Sequence, residues 1–474
     1  MGNYSNRRER EEMQELLRIY QNLKAGRSSN FIEEEDFERI INHFDDRQEL
    51  PAALEAADVG MEQFPYSAQL MFKKADLLIA NRQYLEALEL LDAGSLFDSN
   101  DTTFYILKTD AYLALEQPEK AAELLEDALG LFEGDEKIEL LFELSDVYDD
   151  YEDFEKVFDC LKLILEEDPI NEEALLKICF WADFTGRSEE SIRLHQAIIE
   201  EHPFSELAWF NLATAFQGLK LYEKAIDAYQ YALAIDEKLD IAYRNMGDAY
   251  IRIRKYKEAI EALNRVLELS RPEDVIHEAI GHCFHKMGNF ADARFHYRKA
   301  SHLNPEDSRI YYKIAVTYCK EDRWENAVKQ LETAMRIHKS QPEFNLLMGE
   351  CKMNQGKLKD AIQYFLNVIK IRPKNVSGYD ALIRCLVKAE EYDDALFHSK
   401  KAEEHAIGSA LFIYYQSGIL FLQGKSKEAL FQLERALRNN PRMFNKLSDL
   451  VPGLLQRPQV VELLGRYMRK KKRG

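Results

Sequence analysis

Glycine and proline are scarce in this chain of 474 residues: there are 20 and 12, where average usage of about 7% and 5% would give roughly 33 and 24. Few helix breakers mean long helices, so the composition leans toward an all-α fold before any pattern is read. Cysteine is sparse too. Cys160, Cys179, Cys283, Cys319, Cys351 and Cys385 include no C-x-x-C pair, which indicates neither a disulfide framework nor a zinc ribbon. No apolar run of signal-peptide or membrane-span length follows the arginine-rich start MGNYSNRRER. A cytoplasmic location without a membrane partner is therefore expected. Myristoylation would need Ser or Thr four residues beyond Gly2, but Asn6 stands there.

What the chain has is apolar content and acid. Apolar residues make up 46% of it, enough for a continuous core, and the net charge is −20. That charge is uneven: −29 over residues 1–200, −1 over 201–300 and +10 over 301–474. Duplex DNA needs a concentrated basic surface, so no nucleic-acid partner is expected. The length can instead offer two electrostatically different surfaces, an acidic one drawing basic partners and a basic tail, Arg469 to Arg473, drawing anionic ones.

An alanine recurs every 34 residues at Ala225, Ala259, Ala293, Ala327, Ala361, Ala395 and Ala429. Extended backward, the grid passes Ser191 and Val157, then, across a two-residue insertion near 134–136, Ala121, Ala87 and Ala53. Twelve residues before the alanine stands a small residue (Ala75, Ala213, Gly247, Gly281, Ala315, Gly349) that lets two helices approach. Three before it comes an aromatic (Tyr84, Phe154, Tyr222, Tyr256, Phe290, Trp324, Tyr392), and prolines such as Pro203, Pro305 and Pro373 fall between units. Each unit reads as two amphipathic helices of about thirteen residues that bury their apolar faces only by stacking on neighbours.

Period, alanine columns, small residue, aromatic and proline together resemble the tetratricopeptide repeat, best in WFNLATAFQGLKLYEKAIDAYQYALAIDE, Trp209 to Glu237. The resemblance implies an all-α, right-handed α-α superhelix, a solenoid of about twelve tandem helix-turn-helix repeats over 34–443. Residues 1–33 would supply an N-terminal capping helix, and 444–474 capping helices with the basic tail. Ile41 and Ile383 depart from the small-residue column, Val157 from the alanine, and His195 and Ser399 stand where a large apolar residue is usual. These departures break the 34-residue pattern in the units that carry them.

In the family the first helix of each unit lines a concave groove through its second, fifth, ninth, twelfth and thirteenth positions. In the clearest units this places Phe210, Thr214, Arg244, Asp248, Arg252, Glu278, His282, His285, Lys286, Tyr312, Lys320, Glu350, Arg384 and Lys388 on the groove, a mixed-charge wall suited to an extended peptide or a partner's helix. Asn211 and Asn245 occupy the family's asparagine column, but Ala279 breaks it and the lysines of a carboxylate clamp are missing. Each member taken singly reads as a solvated helix face.

Glu278, His282 and His285 in HEAIGHCFHK share one helix face, but no second helix offers an evident ligand, so no metal or cofactor is expected. Cys283, Cys351 and Cys385 share one column as small buried thiols. Trp209 and Trp324 fill repeat columns, and Trp181 lies on its helix's packed side. There is no G-x-x-x-x-G-K, no G-x-S-x-G and no segment of domain size outside the repeats. The acidic stretch Asp146 to Asp153 reads as an ordinary helix face. The chain is therefore expected to be a non-enzymatic scaffold for protein or peptide partners. The alternatives are a regulatory receptor for a short peptide or small signal, and an accessory subunit of an enzyme complex.

Overall fold

The computed structural model describes residues 2–25, 27, 31–98, 100–405 and 409–470. Among them there are α-helices and short 3-10 turns but no strand. Helix α1 (Gly2–Lys24) comes first. Six antiparallel pairs follow: α2 (Glu34–Asp45) with α3 (Leu50–Gln63), α4 (Ala68–Ala80) with α5 (Tyr84–Gly94), α6 (Thr102–Ala114) with α7 (Pro118–Ala128), α8 (Gly134–Asp150) with α9 (Phe154–Glu167), α10 (Glu172–Phe184) with α11 (Ser188–Glu201), and α12 (Glu206–Gly218) with α13 (Tyr222–Ile235). Six more are α14 (Asp240–Arg252) with α15 (Tyr256–Leu269), α16 (Asp274–Lys286) with α17 (Phe290–Leu303), α18 (Ser308–Cys319) with α19 (Trp324–Ile337), α20 (Pro342–Asn354) with α21 (Leu358–Ile371), α22 (Val376–Lys388) with α23 (Tyr392–His405), and α24 (Ala410–Leu422) with α25 (Ser426–Asn439). Two further helices, α26 (Phe444–Leu450) and α27 (Pro458–Lys470), end the described chain, and Lys471 to Arg473 of the basic run lie outside the described residues.

Local chemistry sets where these helices start. Ser67, Asp101, Asn171, Ser205, Asp307 and Asn375 each precede a first helix and accept from a backbone N–H of its first turn, at 2.7 to 3.3 Å. Such caps satisfy amides that have no partner within the helix and contribute about 1 kcal/mol each. The stop is equally regular. A single residue two or three places past the end of each first helix adopts a positive φ: Gln48, Arg82, Glu116, Glu152, Gly186, Lys220, Arg254, Gly288, Asp322, Gly356, Glu390 and Gly424. The next residue's N–H then reaches back into the helix, as Gln83 to Leu78 O at 2.8 Å and Lys255 to Tyr250 O at 2.9 Å. Only four of the twelve are glycine, so the stacking overrides a left-handed penalty of about 1 to 2 kcal/mol at the other eight.

Packing within a pair depends on two facing columns sixteen residues apart. A Cβ added to Gly349 would lie 2.5 Å from the ring of Phe365, one on Gly281 2.7 Å from Tyr297, and one on Gly247 2.9 Å from Leu263. The small residue is therefore the seat of the large one. At Ile41 and Ile383 the seat is filled, and the residues sixteen places on, Ala57 and Ser399, are small and fully buried. The departures are one exchange of volume between two columns.

The chain forms two compact units, Met1–Asn245 and Met246–Gly474. In the first, Leu16 and Tyr20 of α1 are buried with Ile32, Phe37, Ile40 and Ile41, and a longer core continues from Phe72 to Ile198. In the second, cores around Tyr297 and Phe344, around Phe365 and Phe412, and around Tyr414 and Leu433 follow one another, with Phe444, Leu447, Val460 and Leu464 packed on the last. Cys283, Cys351 and Cys385 are fully buried.

Candidate functional site on the first helices

In the first unit, three residues expected on the groove belong instead to the packing. Phe210 and Asn211 are buried. The Asn211 amide donates to Leu175 O of α10 at 2.7 Å, tying two adjacent first helices together, so it is not open to a ligand. The Thr214 hydroxyl donates to Phe210 O at 3.1 Å and lies 3.2 Å from Tyr229 Oη. Arg244 and Asn245 are half-buried.

The second unit brings most of the other expected residues onto one series of helices. Arg252 lies 3.4 Å from Asp248, both on α14. Glu278 is paired with Lys313 of α18. Burial, reinforced by Lys286 and Lys313, holds His282 below its ordinary pKa, and burial with Lys286 and Lys320 does the same at His285. Both rings are thus favoured in the neutral form. Tyr312 stacks on Phe344 at 5.3 Å. Glu350 of α20 is half-buried, and burial raises its pKa while Arg384 on α22 and Lys320 after α18 oppose the rise. Lys286, Lys320, Arg384 and Lys388 are exposed. Cys319 and Cys351 bring their sulfurs to 3.4 Å; that contact is the main cause holding the Cys319 thiol below, and the Cys351 thiol above, the ordinary value.

A second set went unread in the sequence. The ninth position of successive first helices holds Asp76, Asp110 and Asp146, then Phe180. Each carboxylate is accessible to water, yet burial among the helices raises its pKa, with Asp76 adding to the effect at Asp110. Glu143 beside them is pushed up to about 7 by burial and by Asp110 and Asp146. A 240 Å³ cavity opens on this face, with Phe72 and Leu107 among polar neighbours Glu38, Lys73 and Asp76. On α10, Leu176, Phe180 and Phe184 are 58%, 59% and 60% exposed. They stand at the fifth, ninth and thirteenth positions, the family's groove columns, and were missed because that repeat departs from the pattern at Cys179, Ser191 and His195.

Residues 342–375 match the family model described as tetratricopeptide repeat, and residues 187–347 match that of the tetratricopeptide repeat protein 21 C-terminal ARM domain. The chain is a tetratricopeptide-repeat protein. It is 28% identical over 160 residues to tetratricopeptide repeat protein 21B of Mus musculus, a match covering 32% of this chain and 12% of that one. Among solved structures, it is similar to the C-terminal part of a TPR repeat-containing protein from Cytophaga hutchinsonii, with TM-score 0.44, 16% identity and coverage of 54% and 99% of the two chains. The APC/C hetero-tetramer Cut9-Hcn1 gives TM-score 0.37, 13% identity and coverage of 92% and 96%. The tetratricopeptide fold supports a protein-interaction scaffold in general. Among the described residues, no helix is long and apolar enough to cross a membrane.

Proposed function

We propose that this tetratricopeptide-repeat protein is a non-catalytic scaffold that holds segments of partner proteins along the groove face of its first helices. The observation that carries the reading is the charged face of the second unit, where Glu350 lies within the influence of both Lys320 and Arg384 from the helices on either side. Half-buried polar groups in successive repeats give an extended peptide a row of hydrogen-bonding and charged contacts without a closed pocket. Exposed cations at the rim tune partner choice and association rate more than affinity.

Lys286, Lys320 and Arg384 are exposed, so reversing all three to glutamate leaves the cores intact. Partners recovered by affinity purification with the intact chain should be lost from the reversed chain at equal salt. Retention of every partner by both would remove the second unit's groove face as the docking surface.

A further inference from the structure

On α10 the residues Leu176, Phe180 and Phe184 recur at intervals of four, so they form one stripe about 12 Å long on one face of the helix. Among the described residues nothing covers it, and more than half of each side chain's surface is open. Contiguous exposed apolar side chains commonly mark interaction sites when polar residues border them. The stripe is also braced. Phe180 meets Trp181 edge-on at 4.8 Å, and Phe154 of α9 stacks on Trp181 at 5.1 Å and meets Phe184 edge-on at 5.0 Å. Four rings thus hold one another in place before anything binds, which lowers the ordering cost of association.

The surroundings of the stripe are acidic. Residues 134–184 carry seventeen carboxylates against four lysines. Lys177, on α10 between Leu176 and Phe180 along the chain, is already engaged, 2.8 Å from Glu173 and 3.9 Å from Asp146. Glu143, Asp146, Asp110 and Asp76 continue the negative field along the neighbouring first helices, and like charges held this close disfavour ionisation of one another. An incoming ammonium or guanidinium relieves that repulsion while its apolar neighbours cover the stripe.

Resting on the scaffold reading above, we infer that the α10 stripe with its carboxylate border is a docking site for a cationic amphipathic segment of a partner protein, one with large apolar residues at helical spacing and Lys or Arg beside them. Apolar contact supplies affinity and the acidic field supplies steering and selection.

The test uses the full chain and three fluorescein-labelled 14-residue probes, followed by anisotropy: a helical Leu/Lys peptide, the same peptide with Glu for every Lys, and oligolysine. The Leu/Lys peptide should bind with a Kd below about 50 μM, the Glu counterpart should not bind, and oligolysine should bind at least about tenfold more weakly than Leu/Lys. Phe180→Ala/Phe184→Ala should weaken the Leu/Lys peptide by about tenfold or more. Both rings are exposed, so circular dichroism of this variant should match the parent; should it not, Leu176→Ser alone is the substitute and should weaken binding at least about threefold. Equal binding of oligolysine and Leu/Lys, equal binding by parent and folded variant, or no binding at all would overturn the inference. The Lys286, Lys320, Arg384 reversal should leave peptide affinity within about twofold, because it touches none of these groups. Failure here together with partner loss on that reversal sinks the stripe alone. The opposite pair of results sinks only the second unit's groove.

Discussion

At His195 the repeat pattern has a large apolar residue, and this chain has an imidazole that is fully buried. Its Nδ1–H donates to Ser191 O at 2.7 Å, and its Nε2 has no partner among the described residues. Burial lowers its pKa to about 4, a shift the Ser191 bond only partly opposes. The unfolded chain takes up the proton near pH 6.5 and the folded one only near 4. The stability held by the neutral ring is therefore complete above 6.5 and is lost as the pH falls toward 4. Urea unfolding of the parent should lose about 2 kcal/mol more than His195→Leu between pH 7.5 and 5. Parallel losses in the two chains would show that the ring is not held neutral.

At the scale of the helix pair, stability rests on the exchange of volume between the two facing columns. Ser399→Leu alone places a large side chain where Ile383 already fills the seat, and should cost about 1 to 3 kcal/mol. Adding Ile383→Ala restores the order found at Gly349 and Phe365 and should recover at least half of that loss in urea unfolding, a coupling that a double-mutant cycle reads directly. Neutral behaviour of Ser399→Leu by itself would contradict the exchange. The same columns explain what was legible in the sequence. The 34-residue period was visible because core volume repeats with it, so the all-α repeat fold could be read from the alanine column Ala225 to Ala429 together with the small-residue column of Gly247, Gly281 and Gly349. The departures at Ile41, Ile383 and Ser399 looked like uncertain register because each was judged in its own column, while the packing judges pairs. Turns were hidden for another reason: Arg82, Lys220 or Arg254 carries no signature of a positive φ. The site was read less well. Phe210 occupies a groove column by count and Asn211 the family's asparagine column, but the Asn211 bond to Leu175 O is fixed by how two helices stack, which no single repeat encodes. The α10 stripe sat in the same columns of a repeat whose packing positions had drifted.

At the scale of the whole molecule, the two compact units divide the charge more sharply than the three sequence stretches did. Residues 1–245 carry −32 and residues 246–474 carry +12, which together give the chain's −20. The first-helix faces differ accordingly: a column of aspartates and an aromatic stripe in the first unit, and His282, Lys320, Glu350 and Arg384 in the second. Fields of opposite sign select partners of opposite charge and do so in a salt-dependent way. Under the scaffold function proposed above, one chain would hold two chemically distinct segments. The claim common to both units is that partners lie on the first helices. Site-specific photo-cross-linking in cells tests it most directly, with a benzophenone amino acid placed in turn at Phe180, Lys320 and Arg384 on the first-helix face. Phe295 on α17 and Phe397 on α23, 53% and 61% exposed, serve as second-helix positions. The account predicts partner adducts from the first set and none from the second; adducts arising mainly at Phe295 and Phe397 would contradict it.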